Sequence, residues 1–187
     1  MHLGIVRVDA IMTAMTVPQP TGRDRDEILA ALVTAETLIR SEQLAEAAAL
    51  YQSILIDTML DDIPTARTEV FANYGALLLH KARSLGGSPE AQSHLERAID
   101  MLSRARKGYQ LGQGEGSSAI SDTNLALAYY QRFTMTDHGT DLMSAHMALD
   151  GAEAAALADS AAQDKIDWIR SIRDMLVEQV DRRREPR

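Results

Sequence analysis

Apolar residues recur along this chain at i, i+3, i+4 and i+7, the spacing that gathers them on one face of an α-helix, and no stretch alternates as a half-buried strand would. From Asp24 to about Ser41 the set is Ile28, Leu32, Ala35, Leu38 and Ile39, with Asp24, Asp26 and Glu27 placed to complement a helix dipole. After a short turn at Glu42 and Gln43, Leu44, Ala47, Ala48, Tyr51, Ile54 and Leu55 repeat the pattern to about Leu60, where Asp61, Asp62 and Pro64 break it. Two helices joined by so short a turn must lie antiparallel.

A second pair is predicted from about Thr65 to Leu85 and from Pro89 to about Lys107. Its seam is Phe71, Tyr74, Gly75, Leu78 and Ala82 against Ala91, Leu95, Ala98, Ile99, Leu102 and Ala105. Pro89 suits a first helical turn, with Ser88 as its cap. Gly108 through Ser118 is the longest predicted loop. A third pair runs from about Ser118 to Thr134, through Leu125, Ala126, Tyr129 and Phe133, and from Gly139 to Ala158, through Leu142, Ala145, Leu149, Ala152 and Ala156. Gly151 marks a kink or a close helix crossing. A last helix starts near Ser160, whose spacing to Gln163 makes a capping box, and presents Ile166, Ile169, Ile172, Leu176 and Val180.

The expected organisation is therefore all-α: an N-terminal arm over 1–23, a helical domain over 24–180 with pairs near 24–60, 65–107 and 118–158 and a cap at 160–180, then a polar tail over 181–187. The arm has little helical period and closes on Pro18 and Pro20; Met12 and Met15 offer alternative starts.

Charge narrows the function classes. A net charge of −8 disfavours a general phosphate-backbone binder, so no nucleic acid is expected. The charge is banded: residues 64–108 carry seven bases against four acids, while residues 23–63 carry three bases against nine acids. With no cysteine, disulfides, thiolate metal sites and a cysteine nucleophile are excluded. No apolar run approaches the ~20 residues of a membrane span. The N-terminus, interrupted by Arg7 and Asp9, reads poorly as a secretion signal, which points to a cytoplasmic protein.

Within this pattern Ala35, Leu38, Leu44, Ala47 and Tyr51 follow the order of small, apolar and aromatic positions of the tetratricopeptide repeat, and Asn73-Tyr-Gly75 and Asn124-Leu-Ala126 are similar to its Asn-Leu-Gly/Ala signature. The resemblance covers roughly residues 25–158. Ala35 to Gly75 is 40 residues and Asn73 to Asn124 is 51, against about 34 in the standard repeat, so the chain looks more like the long-repeat members, such as the kinesin light chain type. A non-repeat helical bundle is the competing architecture. The resemblance implies about seven helices stacked as a right-handed superhelix whose concave groove holds a protein segment.

In such a groove, Asn73 and Asn124 would hydrogen-bond a peptide main chain, or else stitch adjacent repeats. Tyr130 would anchor a side chain, with His80, Leu127 and Gln131 along the same face. The family's basic clamp for a terminal carboxylate is missing, since the matching positions are Glu36, Glu69, Ala72, Ala76 and Thr123. A basic or apolar segment is the expected partner. No metal site is expected, because the histidines lack ligand spacing; His138 is assigned to a turn and His146 to helix packing. The glycines around Glu115 lack the features of a phosphate loop, and no cofactor or catalytic set is expected. A non-catalytic interaction adaptor follows, with a regulatory sensor of a small peptide or ligand, or a self-associating structural protein, as alternatives.

Overall fold

The computed structural model describes residues 22–114, 117–159 and 163–184. Over them run seven α-helices and no strand: α1 Arg25–Arg40, α2 Leu44–Leu55, α3 Pro64–Ser84, α4 Pro89–Gln110, α5 Ala119–Thr136, α6 Gly139–Ala158 and α7 Gln163–Arg184, with a 3-10 helix at Thr58–Asp62 between α2 and α3. The all-α expectation holds. The expected arm over 1–23 lies almost wholly outside the described residues, as do Ser160, the cap expected for α7, and Glu115.

Local chemistry sets the helix ends. Asp24 accepts from the Glu27 backbone N–H while the Glu27 side chain accepts from the Asp24 backbone N–H, both at 2.9 Å, a reciprocal cap on α1. Ser88 accepts from the Ala91 N–H at 3.1 Å, and Pro89 follows as the first helical residue of α4. Asp137, left-handed at φ 57°, ends α5 and turns the chain into α6.

Two boundaries differ from the sequence pattern. α2 ends at Leu55 instead of continuing to Leu60. Asp57 breaks the run: its carboxylate caps the 3-10 helix by accepting from the Met59 N–H and also accepts from the Arg23 N–H, 34 positions away. α4 continues to Gln110 instead of stopping near Lys107. Gly108 is buried there against Thr68 of α3, where any side chain would collide, and the next residue, Tyr109, donates its hydroxyl to Glu69 of α3 at 3.0 Å. Packing on α3 thus offsets the helix cost of the glycine.

The helices pack as antiparallel neighbours in sequence order. The most extensive associations are α3 with α4 and α5 with α6; α4 with α5 and α1 with α2 follow at nearly equal extent, and α2 packs on α3. α1 also touches α3, and α3 touches α5. Small buried residues, among them Ala35, Ala47, Gly75, Ala98, Ala126 and Ala145, lie where backbones approach. At Gly75 the approach is closest: a Cβ would lie 2.7 Å from Leu102 Cγ and 3.2 Å from the Leu102 backbone N. α7 covers the open side of the last pair, burying Ile166, Ile169, Leu176 and Val180.

Candidate functional site

α5 presents a second stripe beside its core-facing one. Leu127, Tyr130, Gln131 and Thr134 share a face at i, i+3, i+4 and i+7, and they line a groove of about 420 Å³ together with Arg83 of α3 and Met175 and Gln179 of α7. Three helices meet here. Tyr130 is half-buried, its ring 6.3 Å from that of Phe133 at 42°, so its orientation is fixed by packing rather than left to solvent. Met175 adds a pliable apolar wall, while Arg83, Gln131, Thr134 and Gln179 supply polar groups at its edges. No carboxylate lines the groove.

Three of the six expected groove residues, Leu127, Tyr130 and Gln131, are therefore brought together. His80 is exposed and lines a different cleft, between α2 and α4. Asn73 and Asn124 line neither. Asn73, half-buried, sits beside the Tyr51 hydroxyl and opposes the effect of burial on it. It thereby lies on α3 where that helix faces α2, beside Tyr51. Burial nevertheless dominates and pushes Tyr51 up to about 12, and no protein atom completes a well-formed hydrogen bond to its oxygen. Thr123, expected on the inner face, is fully buried and donates to the Ala119 carbonyl at 2.7 Å.

Besides Asp57, two further buried carboxylates were not anticipated. Asp122 of α5 accepts from Ser118 at 2.8 Å and pairs with Arg106 of α4 at 3.3 Å; burial pushes its carboxyl above the ordinary range, against the pull of Ser118 and Arg106. Gly151 of α6 lies over this pair: a Cβ there would stand 2.8 Å from Arg106 Nη2, so the glycine leaves room for the guanidinium side chain, and the atoms nearest to it belong to side chains rather than to the backbone of another helix. Asp141 of α6 accepts two hydrogen bonds from Arg132 of α5, at 2.6 and 2.9 Å, and that guanidinium lies 5.4 Å from the Tyr129 ring centre. The sequence signal was present, because each acid falls on its helix's seam: Asp122 three residues before Leu125, Asp141 four before Ala145.

Each acid is tied to an arginine on a neighbouring helix, an arrangement that fixes the geometry of the two helices. Among the described residues no group of three or more histidine and acidic side chains is placed to hold a metal ion. His138 is exposed at the start of α6, and His146 is half-buried on it. Arg104, grouped in sequence with Arg106 and Lys107, bonds Asp100 at 3.1 Å and lies 5.7 Å from the Phe71 ring centre. Among the described residues no helix is long and apolar enough to cross a membrane. No family model, curated protein or solved structure matches the chain, so the likeness to tetratricopeptide repeats rests on the spacing of its own residues.

Proposed function

We propose that this chain is a non-catalytic adaptor that holds a segment of another protein against the surface shared by α3, α5 and α7. One observation carries this: Leu127, Tyr130 and Gln131 converge with Arg83, Met175 and Gln179 in a single groove built from three helices. A rigid aromatic anchor beside an adaptable methionine, rimmed by amides that can serve a peptide main chain, is the composition of a segment-binding surface. The direct packing of α1 on α3 and of α3 on α5 supports a tetratricopeptide-like, right-handed stack with these helices on its inner side. Because Arg83 is the charged residue of the groove and no carboxylate lines it, an apolar segment fits better than a basic one. The natural setting in this reading is the cytoplasm.

The test is substitution in the groove followed by affinity measurement against a partner purified with the wild-type chain. Tyr130→Ala should weaken binding by roughly 2 kcal/mol or more, the loss typical of a central aromatic anchor. Thermal unfolding measured alongside separates a lost contact from a lost fold. Affinity unchanged in a folded Tyr130→Ala protein removes the groove from the interaction.

A further inference from the structure

The cleft between α2 and α4, floored by α3, has the opposite character to the molecule as a whole. The chain carries 27 acidic residues and a net charge of −8, yet among the described residues no carboxylate lines this cleft of about 360 Å³, whose wall holds His80, Lys81, His94 and Arg97. Its floor is apolar, with Leu77 and Leu78 of α3, and the α2 wall is built of Leu44 and of alanines that let another backbone come close.

Arg97 is the residue that gives the cleft its direction. Its Nη2 donates to the Tyr74 hydroxyl at 2.8 Å and its guanidinium lies 5.7 Å from the Tyr74 ring centre, so the side chain is held in place over the cleft. Among the described residues it has no carboxylate partner, and the remaining guanidinium donors are open to an incoming one. Lys81 stands on the same side, 54% exposed, with Glu90 at 3.9 Å; Glu90 also lies 3.5 Å from His94 Nε2. Glu90 is itself 63% exposed, so it screens Lys81 only in part.

We infer that this cleft is a second docking surface, independent of the groove on α3, α5 and α7, and that it takes a segment of another protein combining large apolar side chains with aspartate or glutamate. The apolar side chains enter the floor and a carboxylate meets Arg97, with Lys81 as the second cation. The sign reversal against an acidic molecule gives selectivity: a basic segment drawn to the rest of the surface meets like charge here.

A phage library of random dodecapeptides selected on the immobilised full chain tests this directly. Peptides enriched over bare support and competed away by free protein should combine Leu, Phe or Met with Asp or Glu. The best of them, labelled for fluorescence anisotropy, should lose at least about tenfold in affinity on Lys81→Glu and on Arg97→Gln, weaken as salt is raised, and bind Tyr130→Ala unchanged. Lys81→Glu keeps the test open where Arg97→Gln disturbs Tyr74, since Lys81 is an exposed side chain. Enrichment of basic or uncharged peptides, no enrichment at all, or equal binding by folded Lys81→Glu overturns the proposal. So does a wild-type dimer that Lys81→Glu dissociates, which would make a second copy of this chain the occupant.

Discussion

Gly75 shows how a single residue fixes the architecture. With Leu102 of α4 at 2.7 Å from where a Cβ would stand, α3 and α4 can cross only because that atom is absent. Gly75→Val should therefore cost about 1–3 kcal/mol of stability, the range for overpacked cores, read as a lower urea midpoint at unchanged slope. A midpoint equal to wild type would mean the helices do not approach there. Tyr51 makes a second residue-scale prediction. Burial holds its phenol up to about 12 against an ordinary 10.0, so the neutral form stabilises the fold below pH 10 and that contribution is lost as pH rises toward 12. The difference in phenolate absorbance between wild type and Tyr51→Phe should emerge near pH 12, together with loss of helical circular dichroism. Ionisation near pH 10 in an intact helical protein would contradict the burial. The sequence reveals such core positions well, because periodicity alone marks Ala35, Tyr51, Gly75 and Leu102. It does not reveal that Asn73 faces Tyr51 instead of a groove: neighbours on a helix face point up to 100° apart, and the choice depends on where the adjacent pair sits.

Among the elements, α7 is the most consequential. It is fastened to α6 by Glu153, which accepts from Arg170 at 2.7 Å and Arg173 at 2.8 Å, while Arg173 also reaches Asp150 at 2.8 Å. The hydrogen bond from Arg170, with help from Arg173, holds the Glu153 carboxyl below its ordinary value of 4.5. The sign follows: the stabilisation is complete above 4.5 and is lost as pH falls through the lowered value. Glu153→Gln should flatten the acid limb of a stability profile taken between about pH 3 and pH 6, and an identical limb in both proteins would remove Glu153 from the docking. The apolar side of α7 matters more, since Ile166, Ile169, Leu176 and Val180 are buried. Truncation after Asp159 uncovers the surface of α5 and α6 beneath them and should give an oligomerising or insoluble chain; a monomeric, equally stable product would show that α7 is not a cap. The buried face of α7 was legible in the helical period. Its place at the groove was not: Met175 and Gln179 line it because α7 comes to lie beside α5, a tertiary fact with no local signal. The same holds for the end of α4, where local breakers gave way to contacts from Thr68 and Glu69.

At the scale of the whole molecule, sequential helix pairs leave several clefts among the described residues, two of them with different chemistry. The α3, α5 and α7 groove is aromatic and amide-rich, and the α2 and α4 cleft is apolar with a cationic wall. An adaptor requires surfaces that are distinct in this way, held at fixed spacing by a packed core. The packing is supplied partly by the pair of half-buried Arg132 and buried Asp141, and Asp141→Ala should destabilise the fold by about 1–3 kcal/mol in urea unfolding, because Arg132 would be left without its partner while still reaching solvent. An unchanged midpoint would place the strength of the α5–α6 contact in its apolar seam alone. The central claim, that the groove around Tyr130 holds a segment of another protein, is tested most directly by replacing Tyr130 with a photo-crosslinking benzoylphenylalanine, irradiating in cells of the source, and identifying the adduct. The predicted result is one dominant adduct to a discrete, apolar segment of a second protein, absent when the same crosslinker stands at exposed Thr37 on α1. No adduct at 130, or the same adducts at both positions, would contradict it.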